Sequence, residues 1–177
     1  MRAVVVYESM YGNTHAVAEA IAAGLRSEYD PVMVVPVGQV DDTVLDGAGL
    51  LVVGGPTHVH GLSRPRSRAA AGEVARKPGS AVTLEAGAEG PGLREWLASL
   101  GELDVHAAAF DTRMPGPAIF TGRASKGISH GLSRHGADLV ARPESFLVTK
   151  ENVLRPGEDL RARRWGEQLA ALAGVTG

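Results

Sequence analysis

Apolar residues are distributed along this chain in two rhythms. Short unbroken runs alternate with longer stretches in which apolar positions recur every three or four residues. Ala3-Val4-Val5-Val6-Tyr7 is an unalternated run, as expected of a parallel strand covered on both faces. Val17, Ala20, Ile21, Gly24 and Leu25 follow at helical spacing, with Glu19, Arg26 and Glu28 on other faces. They predict an amphipathic helix from about Thr14. Pro31 ends it, Val32–Val37 reads as a second strand, Val40–Leu45 as a turn-like segment and Leu50–Val53 as a third strand. A second helix starts near Pro65, carries Ala69, Ala70 and Val74, and stops at Pro78-Gly79. Residues 79–92, rich in Gly, Ala and Pro, read as an irregular insertion. Leu93, Trp96, Leu97 and Leu100 make a short helix face, Val105–Phe110 a fourth strand, and Ile128 and Leu132 another helix. Leu139-Val140 opens a last strand that Ser145–Val148 continues after a break at Pro143, and Leu160–Leu172 closes the chain as a helix. Trp96 and Trp165 sit at helical spacing with leucines and are expected in the core.

Five apolar strands alternating with helices predict a doubly wound α/β domain, because right-handed crossovers place helices on both faces of a parallel sheet. In such sheets ligands bind outside the carboxyl ends of the strands, where strand order reverses. That singles out the loops after Tyr7, Val53 and Phe110.

Composition narrows the function classes. The 177 residues suit one domain over 1–177, and 44% hydrophobic with 21% charged side chains is ordinary for a soluble fold. Eighteen basic against twenty acidic residues give a net charge of -2, with no signature of nucleic acid or an anionic membrane as partner. Cysteine is absent, which excludes disulfides, thiolate nucleophiles and Cys-built metal centres and suits a reducing compartment. The apolar start is cut short by Glu8, and no apolar run approaches the roughly 20 residues of a membrane span, so a cytoplasmic protein is expected.

The first loop, Ser9-Met10-Tyr11-Gly12-Asn13-Thr14, combines hydroxyls, a glycine and a following helix whose unpaired N–H groups favour a phosphate. It has no Lys and no Gly-Lys-Ser/Thr ending, which argues against a nucleoside triphosphatase, and it lacks the three spaced glycines of a dinucleotide site. One phosphate fits better than two. The alternative is a plain helix cap by Asn13 or Thr14.

Val6-Tyr7-Glu8-Ser9-Met10-Tyr11-Gly12-Asn13-Thr14 at a strand–helix junction resembles the phosphate loop of flavodoxins and FMN-dependent quinone reductases. The order of elements agrees along nearly the whole chain. The resemblance implies a sheet of order 2-1-3-4-5, with FMN phosphate held by Ser9, Met10, Tyr11, Gly12, Asn13 and Thr14. It also implies that Pro56, Thr57, His58, Val59, His60 and Gly61 lie along one side of the flavin ring, with His60-Gly61 as the peptide whose carbonyl turns toward the reduced ring. Asp111, Thr112 and Arg113, with Met114, would close over the other face. The third loop matches by position only; aromatic stackers are common there in flavodoxins, and here Phe120 lies further on.

Other residues have ordinary explanations beside functional ones. His58 and His60 either meet the ring or are solvated, and a His-Val-His pair without nearby Cys or paired carboxylates supplies too few ligands for a metal. Arg113 either favours an anionic reduced flavin or faces solvent. Arg64, Arg66 and Arg68 read first as a solvated helix start and otherwise as a dock for an acidic partner or a nicotinamide phosphate. Arg161, Arg163 and Arg164 receive the same reading. Ser125, Ser129 and Ser133 form no Ser/His/Asp pattern, so no catalytic residues are assigned. The first functional reading is an FMN electron carrier serving a partner protein or a small-molecule acceptor. An NAD(P)H-dependent quinone reductase on the same scaffold is the second, and a flavin-free interaction domain the third.

Overall fold

The computed structural model describes residues 1–41, 43–58, 61–117 and 122–175, with the side chain of Val175 left aside. In chain order the elements are β1 (Arg2–Tyr7), α1 (Asn13–Leu25), β2 (Val32–Pro36), a single 3-10 turn (Val37–Gln39), β3 (Ala48–Pro56) and α2 (Pro65–Arg76). Then come α3 (Leu93–Ser99), β4 (His106–Arg113), α4 (Ala124–Arg134), β5 (Asp138–Leu139), β6 (Glu144–Leu147) and α5 (Glu158–Val175). The strands are parallel in the order β2-β1-β3-β4-β5, with β6 also on β4. β5 pairs His106 and Ala107, while β6 pairs Phe110 through Arg113, so the last strand runs in two pieces with Pro143 between them. The expected doubly wound α/β sheet and its order 2-1-3-4-5 are both present.

Successive strand side chains point to opposite faces, and the unalternated strands therefore feed two cores. Val5, Tyr7, Val52 and Phe110 pack against Ile21 and Leu25 of α1 and Trp165 and Leu169 of α5. Val4, Val6, Leu51 and Val53 pack against Leu93 and Leu97 of α3 and Ile128 and Leu132 of α4. Trp165 joins Phe110 and Phe146 edge to face, and Trp96 packs partly buried on the second core. On the first face α1 and α5 meet at glycines. A Cβ on Gly24 would run into the carbonyl oxygen of Arg163, and one on Gly166 into that of Ile21.

Most boundaries lie within a residue or two of the sequence expectation, and two longer extensions bear on the site. β3 continues through Gly54-Gly55-Pro56, because Gly54 has no side chain and the Phe110 ring of the neighbouring strand occupies that space. β4 runs three residues beyond Phe110, carrying Asp111, Thr112 and Arg113 inside the strand, so the third loop begins at Met114. Asp111 is fully buried and its Oδ2 accepts the Ser125 N–H at the start of α4, 2.8 Å away. A carboxylate that looks like a loop residue is thus a strand residue anchoring the next helix. The 79–92 segment is irregular as expected, yet its Glu85 N–H bonds the Met10 carbonyl at 2.8 Å and Glu89 takes two hydrogen bonds from Arg76.

Candidate functional site

The three loops meet at the carboxyl end of the sheet. Gly12 has φ 87, a left-handed conformation open to glycine, and its N–H donates to Ser9 Oγ at 3.1 Å. Backbone bonding of α1 begins with Ala16 N–H to the Gly12 carbonyl, and no side chain caps the helix. The N–H groups of Asn13, Thr14 and His15 have no acceptor among the described residues, and nothing lies within 4 Å of where a Gly12 Cβ would stand. An uncapped helix start approached by bare backbone suits an anion.

The side chains of this loop are already engaged in holding it. Thr14 Oγ1 and Thr112 Oγ1 are 2.7 Å apart and both are buried, which clasps the first loop to β4. Asn13 Nδ2 donates to the Asn152 carbonyl at 2.7 Å, and Tyr11 Oη to the Ala71 carbonyl at 3.0 Å. Met10 is buried. The hydroxyl and amide groups therefore shape the loop, and the backbone N–H groups at the start of α1 are the donors it leaves open among the described residues. The Thr57 N–H bonds the Thr112 carbonyl at 2.9 Å, and Thr57 Oγ1 accepts the Ala124 N–H at 3.0 Å. Thr14, Thr112 and Thr57 thus tie the start of α1, the end of β4, the second loop and the start of α4 together.

In the second loop Pro56 ends β3, and His58 and Gly61 exchange both backbone hydrogen bonds, at 2.8 and 2.9 Å. Val59 and His60 lie outside the described residues, as does Phe120. Among the described residues of loops 57–64 and 114–123, His58 carries the one aromatic ring. In β4 Asp111 is committed to α4, while the Arg113 guanidinium donates to the Gly116 carbonyl at 3.0 Å and steadies the start of the third loop.

Arg68 corrects the reading of a solvated basic helix start. It is buried, with Nη1 donating to Ser63 Oγ at 2.9 Å and Nη2 to Glu95 Oε2 at 3.0 Å. Glu8 is buried beside it and accepts the Leu93 N–H at 2.8 Å. Both side chains converge on the space that a side chain at Gly92 would fill. Sequence reasoning missed this cluster; the signal available was an acidic residue directly continuing a fully apolar strand. His15 was also missed. It stacks on Tyr7 with ring centres 4.5 Å apart and meets Glu85 at 2.6 Å. Burial, with Glu85 and Glu19 nearby, pushes the Tyr7 phenol up to about 12.

Burial lowers the pKa of His58; Glu8 opposes the shift and Arg68 adds to it. A histidine harder to protonate when folded binds fewer protons than the unfolded chain, so its contribution is complete above the ordinary value near 6.5 and is lost as pH falls through the lowered value. Urea midpoints for the native chain should therefore fall more steeply between pH 7 and pH 5 than those of His58→Gln. Parallel curves would remove His58 as the cause.

No group of His, Cys, Asp and Glu among the described residues is arranged for a metal, and no described helix is long and apolar enough to cross a membrane. Comparison with known proteins agrees with this geometry. Residues 5–85, from β1 to the insertion, match the flavodoxin family model. No curated protein matches the sequence. Among solved structures, a flavodoxin from the domain Archaea superposes with a TM-score of 0.67 at 21% identity, covering 98% of this chain and 99% of that one. Oxidised flavodoxin 1 from Bacillus cereus gives 0.65 at 16% identity, over 97% and 98%. Rubredoxin oxygen:oxidoreductase from Desulfovibrio gigas gives 0.61 at 18% identity, with 98% of this chain on 36% of that longer one. By its strand order and these matches, the chain has the flavodoxin fold, and its first 85 residues carry the part that resembles the flavodoxin family.

Proposed function

We propose that the chain binds one FMN at the three loops and serves as an electron carrier for a partner protein or a small-molecule acceptor in the cytoplasm. The observation that carries the reading is the uncapped start of α1, where the Asn13, Thr14 and His15 N–H groups face a loop opened by Gly12. These donors fit a phosphate dianion, and the positive end of the helix favours it. Ser9, Tyr11, Asn13 and Thr14 position that backbone, while Thr57, His58 and Gly61 stand where the edge of the ring would lie. Bound flavin would supply the electron chemistry, and the protein's part is orientation, exclusion of water and the local field. A quinone reductase using NAD(P)H is the second reading, favoured by the sparse aromatic cover of the described loop residues, which leaves room for substrate above a ring.

Titration of the flavin-free protein with FMN, followed by quenching of flavin fluorescence, tests the proposal. Saturable one-to-one binding is expected. Thr14→Ala, which removes the clasp to Thr112, should weaken it about tenfold, the equivalent of one hydrogen bond of roughly 1.4 kcal/mol. Gly12→Val, forced into a left-handed backbone, should weaken it further. Folded variants with native affinity would refute the phosphate assignment, and absence of binding by the native chain would favour a flavin-free interaction domain. Steady-state turnover with NADPH and a quinone separates the enzyme from the carrier.

A further inference from the structure

Beside the second loop lies a cleft of about 740 Å³ between His58, Leu62 and the first two turns of α2. Its volume is within the range of small-molecule sites, roughly 300–1,000 Å³. Leu62 and Ala70 give it an apolar floor, Arg64, Arg66 and Arg94 stand around it, and no carboxylate lines it. Arg94 donates to the Ser63 and Leu62 carbonyls at 3.0 and 2.9 Å, neutral acceptors that leave its charge uncancelled. Arg64 and Arg66 form no ion pair with any described residue. Arg68, one turn along α2, shows the contrast: it points into the protein and is neutralised by Glu95. Three positive groups around an apolar pocket, in a chain of net charge -2, call for a ligand with an apolar body and a negative end.

We propose that this cleft binds an amphipathic organic anion, an aromatic ring system carrying a carboxylate, sulfonate or phosphate. The apolar body fills the space over Leu62 and Ala70, and the anionic end meets Arg64, Arg66 and Arg94. His58 and Gly61 belong both to this cleft and to the second loop. A compound held here therefore borders the flavin site, and its role as the redox substrate rests on the FMN reading above. Binding of the anion does not.

The test uses anilinonaphthalenesulfonate on the flavin-free protein, with the uncharged phenylnaphthylamine as the same rings without the anion. One sulfonate probe should bind per chain, about tenfold more tightly than the neutral one, and addition of salt should narrow the gap because the arginines are accessible to ions. The double variant Arg64→Gln/Arg66→Gln should lose about tenfold in affinity for the sulfonate and less than twofold for the neutral probe. Saturating FMN should leave the sulfonate bound. Equal affinity for the two probes, an unchanged double variant, or no binding by a folded protein would overturn the proposal. Stoichiometric displacement by FMN would also overturn it, since the cleft would then be part of the flavin's own site. Charge-selective probe binding without FMN binding would support the cleft while sinking the flavin reading, and FMN binding without probe binding would do the reverse.

Discussion

Gly24→Ala is expected to destabilise the protein by about 3 kcal/mol or more, a loss of roughly 10 °C in Tm for a domain of this size. The reason is the identity of the atoms in the way. An added methyl at Gly24 meets the Arg163 carbonyl and the Glu167 and Gly166 backbone of α5, and none of these can rotate aside as a side chain would. The helices must separate, opening the core around Ile21, Leu25, Trp165 and Leu169. Gly166→Ala should behave alike, because its methyl meets the Ile21 backbone from the opposite side. Gly174→Ala is the control. It lies in the same helix with nothing within 4 Å of its Cβ position, and there an alanine should be neutral or stabilise by up to about 1 kcal/mol. Thermal unfolding in which Gly24→Ala and Gly174→Ala behave alike would mean that the two helices are not packed at their glycines.

The second large effect concerns Arg68. Its replacement by methionine keeps much of the volume but withdraws the charge from beneath the second loop. Ser63 loses its partner, Glu95 keeps only the Gly92 N–H, and the buried Glu8 carboxylate loses the positive charge that shares the space at Gly92 with it. Breaking a buried pair from one side costs about 3–5 kcal/mol, chiefly because a charge is stranded. Glu95 is partly exposed, so about 3 kcal/mol is expected. The double variant Arg68→Met/Glu8→Gln should recover part of that loss, because it removes the stranded carboxylate. Urea denaturation gives both numbers; a single variant within 1 kcal/mol of the native chain would show that Arg68 is not bearing this charge.

The elements most readily read from the sequence were those whose residues speak for themselves. Val4, Val5 and Val6 have no polar neighbour to bring a second interpretation, and their strand is where it was expected. Val17, Ile21 and Leu25 likewise mark the buried stripe of α1. What escaped reading depended on a partner far along the chain. Asp111 looks like the start of a loop until Ser125 is placed beside it, and Gly54 looks like a turn until Phe110 fills the room it leaves. Arg68 looks solvated until Ser63 and Glu95 surround it. The same division holds at the site. The anion reading of the first loop rests on that loop's own residue types, whereas the engagement of Thr14 by Thr112, and of Asn13 by Asn152, needs the fold. Spacing within one segment carries periodicity and turn chemistry, but not which donor a distant segment has already taken.

The divided last strand has a consequence for the protein's behaviour at high concentration. An uninterrupted outer strand would present a row of free N–H and C=O groups on which another chain could add a strand of its own. Here that flank consists of two short pieces, Asp138–Leu139 and Glu144–Leu147, separated by a stretch containing Pro143. The opposite flank, β2, is bracketed by Pro31 before it and Pro36 at its end. Neither side gives a long, flat template, so a sheet with valine-rich central strands is protected at its margins against stacking edge to edge into aggregates.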